Sequence, residues 1–314
     1  MSNLEKAAKQ LDELSAKRKA LRLAPVDFDE YAESIHRDKA SIRDAQDFHD
    51  DVSDFYAGNK GMDGSTMPWE KTHHIVRFRK AEVSCWHGYN KHGKSLVLGQ
   101  IINGLAMQGE KICIASMEML PYRTLARMTR QMIGASNPDP RYISKYFDFA
   151  AGKILLFDQQ GMVSASRICN VIEYVTGELG VTHFVVDSLM KCGINTDDLS
   201  GQKNFVDRLC AIAKDTGCHI HLVAHDRKPD DENKKPTRWG IAGSSDISNQ
   251  VDNCFGVWRN VSKIGNPEKE NEEDAVIICD AQRNGEWTGE IKLWVDEGSF
   301  RYKGAIREHV GSLV

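Results

Sequence analysis

The apolar positions change their period along the chain, and the change divides it. Leu4, Ala7, Leu11, Leu14 and Leu21 fall on one stripe at heptad-like spacing, with Lys and Glu on the other faces. They predict a helix over residues 3–23, ended by Pro25. Asp27-Phe-Asp-Glu30 has the form of a capping box and opens a second helix. Phe28, Tyr31, Ile35, Ile42, Phe48, Val52 and Phe55 carry its apolar face, with a break along the way. The turn-rich stretch 58–65 then places a domain boundary, giving a helical region 1–63 and a second domain 64–314.

From about Glu82 short apolar runs alternate with longer helical stretches. The runs predict strands at 83–86, 112–116, 154–157, 183–187, 219–224, 254–258, 276–279 and 290–294. The stretches predict helices at 94–108, 121–133, 163–179 and 201–216. Continuously apolar strands alternating with helices imply an α/β fold, a mostly parallel sheet covered by helices on both faces. Toward the C-terminus strand follows strand, so antiparallel strands extend that sheet. The acidic run 266–274 reads as a solvated hairpin loop.

Composition narrows the picture. Of 314 residues 41% are hydrophobic, enough for one large domain with an appendage. The net charge of -4 excludes a chain that binds nucleic acid through bulk basicity, so any such surface must be local. No two of the eight cysteines form a C-x-x-C pair, and several sit in apolar runs. They read as reduced core residues of a cytoplasmic protein rather than as a zinc site. The first residues lack the apolar stretch of a signal peptide, and no run approaches the ~20 residues that span a bilayer. The expectation is a soluble, cytoplasmic protein with no membrane contact.

The chemistry begins at Gly88-Tyr89-Asn90-Lys91-His92-Gly93-Lys94-Ser95, which fits G-x-x-x-x-G-K-[S/T]. Glycines let such a loop curl its N–H groups toward phosphate oxygens. Lys94 would reach the β- and γ-phosphates of a nucleotide, and the Ser95 hydroxyl would ligate Mg2+. A strand before and a helix after put the phosphates at a helix N-terminus. Asp187 ends the apolar run Phe184-Val-Val-Asp, where a carboxylate either holds the magnesium or caps a turn. Glu118 follows another strand and would polarise an attacking water, although a glutamate there is commonly solvated surface. His225 ends a third strand, within reach of a γ-phosphate or in a structural role.

Together these residues resemble the superfamily-four, RecA-like ring helicases: DnaB-type enzymes, phage primase–helicases and mitochondrial Twinkle. The similarity covers roughly residues 64–303. Ser116-Met-Glu-Met119 is similar to the family's S-L-E-M motif, which implies Glu118 as catalytic base. Val185-Val-Asp-Ser-Leu189 looks like its Walker B strand, and Ala224-His-Asp-Arg-Lys-Pro229 like the segment whose histidine senses γ-phosphate. Gly243-Ser244-Ser with Val251-Asp252 and Arg259-Asn260 resembles the fourth motif, which implies a DNA-contacting loop and places Arg259 at the nucleotide. Gln282-Arg283-Asn-Gly-Glu-Trp-Thr-Gly289 resembles the K-x-R-x-G segment, so Arg283 would enter a neighbouring subunit's ATP site. Two positions depart from the pattern. Ala281 stands where the family has lysine, and Asn249 where it has glutamine. Both family residues couple hydrolysis to DNA.

The resemblance also implies partners. Family members thread single-stranded DNA through a homo-hexamer, and the loops corresponding to theirs are 191–198 and a basic stretch containing Lys228, Lys234, Lys235, Arg238 and Gly243. Copies around a pore would form a positive stripe, which Asp230, Asp231 and Glu232 dilute. The helix at 3–23 would dock on the adjacent subunit. The resemblance shows no counterpart of a primase module, which implies a separate primase and polymerase, and the short N-terminal region favours the phage- or plasmid-like, stand-alone form of such helicases. Two other readings share the ATPase site: a RecA-like recombination mediator, and a loading ATPase that uses nucleotide only to switch assembly.

Overall fold

The computed structural model describes residues 43–57, 63–195, 197–243 and 246–314. The helix predicted over 3–23, the start of the second helix and Ser244 lie outside the described residues. The chain divides into two units, Met1–Gly61 and Met62–Val314. In the first, Asp44 accepts from the Gln46 N–H and caps a 3-10 turn, Ala45–Phe48. The turn runs into α1 (His49–Tyr56), where Val52 and Tyr56 are exposed. No helix among the described residues is long and apolar enough to cross a membrane.

The second unit is built on one sheet in the order β3-β2-β4-β5-β1-β6-β7-β8-β9. Its strands are β1 (Val83–His87), β2 (Ile112–Ser116), β3 (Ile154–Leu156), β4 (His183–Asp187) and β5 (His219–Val223). They continue as β6 (Asn253–Arg259), β7 (Ala275–Gln282), β8 (Gly289–Asp296) and β9 (Arg301–Lys303). β3 through β6 are mutually parallel, and β7, β8 and β9 add on antiparallel. The helices are α2 (Lys94–Met107), α3 (Pro121–Ile133), α4 (Pro140–Ala150), α5 (Ala165–Gly177), α6 (Leu199–Thr216) and the short α7 (Ile247–Gln250). This is the expected RecA-like plan, with α4, α7 and β9 added.

The central parallel strands β1, β2, β4 and β5 are buried along their whole length, and mostly apolar, because both faces are covered. Ile112 and Ile114 of β2 and Val185 of β4 join one core, which Val97 and Ile101 of α2, Met128 of α3 and Tyr146 of α4 complete. The alternate residues Cys113, Ala115, Phe184 and Val186 join a second core with Ile168 of α5 and Leu209 of α6. A period of two therefore separates two apolar sets instead of an apolar and a polar one. All eight cysteines are free and all but Cys210 are buried, as expected of core thiols. The chain leaves β1 and re-enters the sheet at β2, on the far side of β5 and β4. Such switch points open a crevice at the carboxyl ends of the strands.

Candidate nucleotide site

The loop from Gly88 to Gly93 leaves β1 and becomes α2. Gly93 is the N-cap, with φ 90, and a Cβ there would lie 2.6 Å from the Tyr302 hydroxyl. Both the left-handed backbone and the crowding require glycine. The first N–H groups of α2 lack intrahelical partners and open onto the cleft that Gly93, Lys94 and Ser95 line. His92 fixes the loop from outside: its Nδ1 accepts from the Arg259 N–H at 3.1 Å, and its ring meets Tyr89 edge-on.

Lys94 is buried, and its Nζ donates to the carbonyls of Gly88 at 2.8 Å and Tyr89 at 2.9 Å. Burial pulls its pKa down, against the opposing charges of Asp226, Asp187 and Glu118. Neutral carbonyls are weaker acceptors than phosphate oxygens, so the ammonium is held ready to be drawn away. The Ser95 hydroxyl donates to Asp187 Oδ2 at 3.0 Å, bringing the two expected magnesium ligands together. Burial, with the Glu118 charge adding to it, raises the Asp187 pKa despite that donation. A buried carboxylate under such pressure beside a hydroxyl is a fitting place for a hard divalent cation.

Glu118 lies two residues beyond β2. Its Oε1 accepts from the Ser188 hydroxyl at 2.9 Å and stands 3.7 Å from His225 Nε2, an ion-pair distance rather than a hydrogen bond. The His225 imidazole, aided by Ser188 and opposed by burial, holds the Glu118 carboxyl down at about 2. Lys94, Ser95, Glu118, Asp187 and His225 all line one cleft of about 370 Å³, with Asn90, Lys91, Arg127 and Phe300. A second cleft of about 570 Å³ shares Lys91, Gly93 and Phe300 with it and adds Arg259, Asn260 and Tyr302. The arrangement can therefore hold an anionic chain beside a larger group.

Three lining or supporting residues escaped the sequence reading. Arg127 sits among the polar positions of α3 and resembles solvated surface. Ser188 lies inside the Val185–Leu189 motif, but its contact with Glu118 crosses the sheet. Phe300, with φ 61, follows a Gly-Ser turn that has no motif of its own.

The remaining expected residues lie apart from the cleft walls. Arg283 follows β7, with Nη1 2.9 Å from Asp252 Oδ1. Its Nη2 donates to the carbonyls of Asn249, Gln250 and Val251 at 3.4, 3.1 and 3.5 Å. In the basic stretch Lys228 and Lys234 are exposed, whereas Lys235 is bound to Glu290 at 2.6 Å. Arg238 lies over the exposed Trp239 ring at 4.5 Å. Gly243 has φ 103, and the backbone of Asn249 belongs to α7.

No family model matches the chain. Among solved structures, a helicase ATPase domain superposes with a TM-score of 0.69 at 12% identity, covering 82% of this chain and 98% of that one. A DnaB-like replicative helicase, described with its interactions with primase, superposes with a TM-score of 0.68 at 13% identity, covering 95% of this chain and 76% of that one. The fold is that of DnaB-type, RecA-like helicase ATPase domains.

Proposed function

We propose that the chain is the motor of a replicative DNA helicase, hydrolysing ATP to move along single-stranded DNA as a homo-hexameric ring and separate duplex DNA. The observation that carries this reading is the meeting of the Ser95–Asp187 pair with Glu118, Lys94 and His225 in one cleft. Magnesium held by Ser95, and by Asp187 directly or through water, would neutralise charge on the transferred phosphate. The first N–H groups of α2 and the Lys94 ammonium would hold the phosphates as Lys94 leaves the Gly88 and Tyr89 carbonyls.

Glu118 orients the attacking water and draws off its proton. With His225 close by, its carboxylate is a weak base, and a move of the imidazole toward the γ-phosphate would restore its basicity. Arg259 serves the nucleotide from the adjoining cleft, and Arg283 serves the ATP of a neighbouring subunit. Lys228, Lys234, Arg238, Gly243, Ser244 and Asn249 belong to the segments offered to DNA phosphates. Lys235 has a weaker claim because Glu290 holds it. The helix over 3–23 joins subunits, and a separate primase and polymerase complete the machinery.

Ala281 and Asn249 give the loading or recombination ATPase specific support, since both replace residues that couple hydrolysis to DNA in the family the chain resembles. ATP turnover with and without single-stranded DNA, paired with strand displacement on a forked duplex, separates the readings. Stimulated turnover with displacement is expected. Stimulated turnover without displacement transfers the chain to the loading or recombination class, and no turnover removes the helicase reading.

A further inference from the structure

His87, the residue before the phosphate loop, is fully buried between two carboxylates. Its Nδ1 lies 3.0 and 3.1 Å from the two oxygens of Asp226, and its Nε2 lies 3.2 Å from Asp280 Oδ2. A carboxyl group at each ring nitrogen favours a hydrogen on both, the imidazolium form of the ring. Burial alone would lower its pKa, but Asp226 and Asp280 outweigh burial and hold it well above the usual range.

Three local features build this bridge. Asp226 lies just beyond β5, where its N–H donates to the Gly88 carbonyl at 3.1 Å. Asp280 is the extra residue of a β-bulge, because Phe255 pairs with Cys279 and Cys254 with Ala281. Bulges re-aim side chains in this way. The intervening strand β6 presents Gly256 level with His87, and a Cβ there would come 3.2 Å from the ring's Cε1 and 3.3 Å from its Nε2. The missing side chain lets Asp280 reach across β6 to the imidazole. Cys254 adds a sulfur, so that one ligand atom each from His87, Cys254 and Asp280 lie within 4.8 Å of one another. Both ring nitrogens are already engaged by carboxylates, however, so the cluster is a closed ionic bridge.

The bridge ends beside two residues of the proposed reaction. Asp226 directly follows His225, and Asp280 stands three residues before Arg283. We infer that His87 is a positioning residue that fastens the phosphate loop and the His225 segment to the hairpin bearing Arg283. A change at one subunit's phosphate site then moves the arginine it offers to the next. This inference rests on the nucleotide site and the role of Arg283 proposed above. A local bridge of this kind transmits because the buried charges cannot separate cheaply: parting one partner leaves an uncompensated charge in the core.

The test is amide hydrogen exchange in residues 283–288, with and without Mg2+ and a non-hydrolysable ATP analogue, in the full chain and in Asp280→Asn. Asparagine keeps the shape and removes one charge at the most accessible end of the bridge. His87→Gln is the second variant, and nucleotide affinity and steady-state turnover are followed in parallel. Nucleotide should change exchange in the hairpin of the wild type and leave it unchanged in Asp280→Asn, with analogue affinity altered by no more than about twofold. If turnover is present, kcat should fall about tenfold at nearly constant KM, and Arg283→Ala added to Asp280→Asn should cost little more. A wild type that binds the analogue with no change in the hairpin, or a variant whose hairpin responds as the wild type's does, overturns the inference and leaves the nucleotide site standing. A wild type that binds no nucleotide removes the site and the inference together.

Discussion

The Arg283 guanidinium closes on the Asp252 carboxylate at 2.9 Å within a single chain. The other Asp252 oxygen accepts from the Val83 N–H at 2.9 Å, so the arginine is moored to the start of the central strand. The guanidinium side is half exposed and the carboxylate nearly buried. Reaching a neighbour's phosphate would exchange one anion for a more highly charged one.

That exchange has a measurable consequence. Subunits carrying Arg283→Ala, mixed with wild type, should poison turnover more than in proportion to their fraction, because a site that lacks its neighbour's arginine stalls the coordinated turnover of the whole ring. Phosphate release across a titration of mixtures gives the curve. A straight line would mean that the sites turn over independently, and would contradict a ring whose subunits act in concert.

Lys94 is the second place where a present contact must give way. Its ammonium now satisfies two loop carbonyls. Lys94→Ala should lower ATP turnover by roughly a hundredfold or more, the scale of losing a charged donor to a transition state. Ordinary turnover in this variant would dismiss the phosphate-loop assignment.

The fold also carries an acid-sensitive element away from the cleft. His183 Nδ1 lies 3.2 Å from His221 Nε2, Trp86 Nε1 donates to His221 Nδ1 at 3.2 Å, and His219 Nε2 lies 2.8 Å from the Ser84 hydroxyl. Burial lowers the pKa of all three imidazoles, that of His219 to about 4. Each folded value lies below the unfolded one near 6.5, so their contribution is complete above that pH and is lost as pH falls toward 4. At pH 5 His219 alone should cost on the order of 2 kcal/mol. His87 works in the opposite sense, its contribution being complete below about 6.5 and lost only as pH rises through its raised value. Thermal melts from pH 7 to pH 5 should show a falling Tm, and a flat profile would refute the neutral-histidine account.

Local patterns made most of the fold legible. Each of the eight expected strands is present, because an apolar run between turns survives burial on both faces. α4 is different: it lies outside the four predicted helices of this domain, and its Pro140 stands in the first turn behind the Asp139 cap, where its missing N–H costs nothing. β9 spans only Arg301–Lys303, too short to show a period. In the site, Lys94, Ser95, Glu118, Asp187 and His225 were legible because each begins a helix or lies at, or two residues beyond, the end of a strand at the sheet's carboxyl edge. The pairing of Arg283 with Asp252 and the bridge at His87 were not. Their contacts join residues far apart in sequence, and the Asp280 bulge is set by strand register.

The most direct test of the account is phosphate release from ATP in the presence of single-stranded DNA, comparing the wild type with Glu118→Gln while nucleotide affinity is followed separately. The account predicts DNA-stimulated turnover in the wild type and a loss of roughly a hundredfold or more in the variant, with affinity preserved, as befits removal of a base from a formed site. Equal turnover in the two proteins, or none in the wild type, would contradict it.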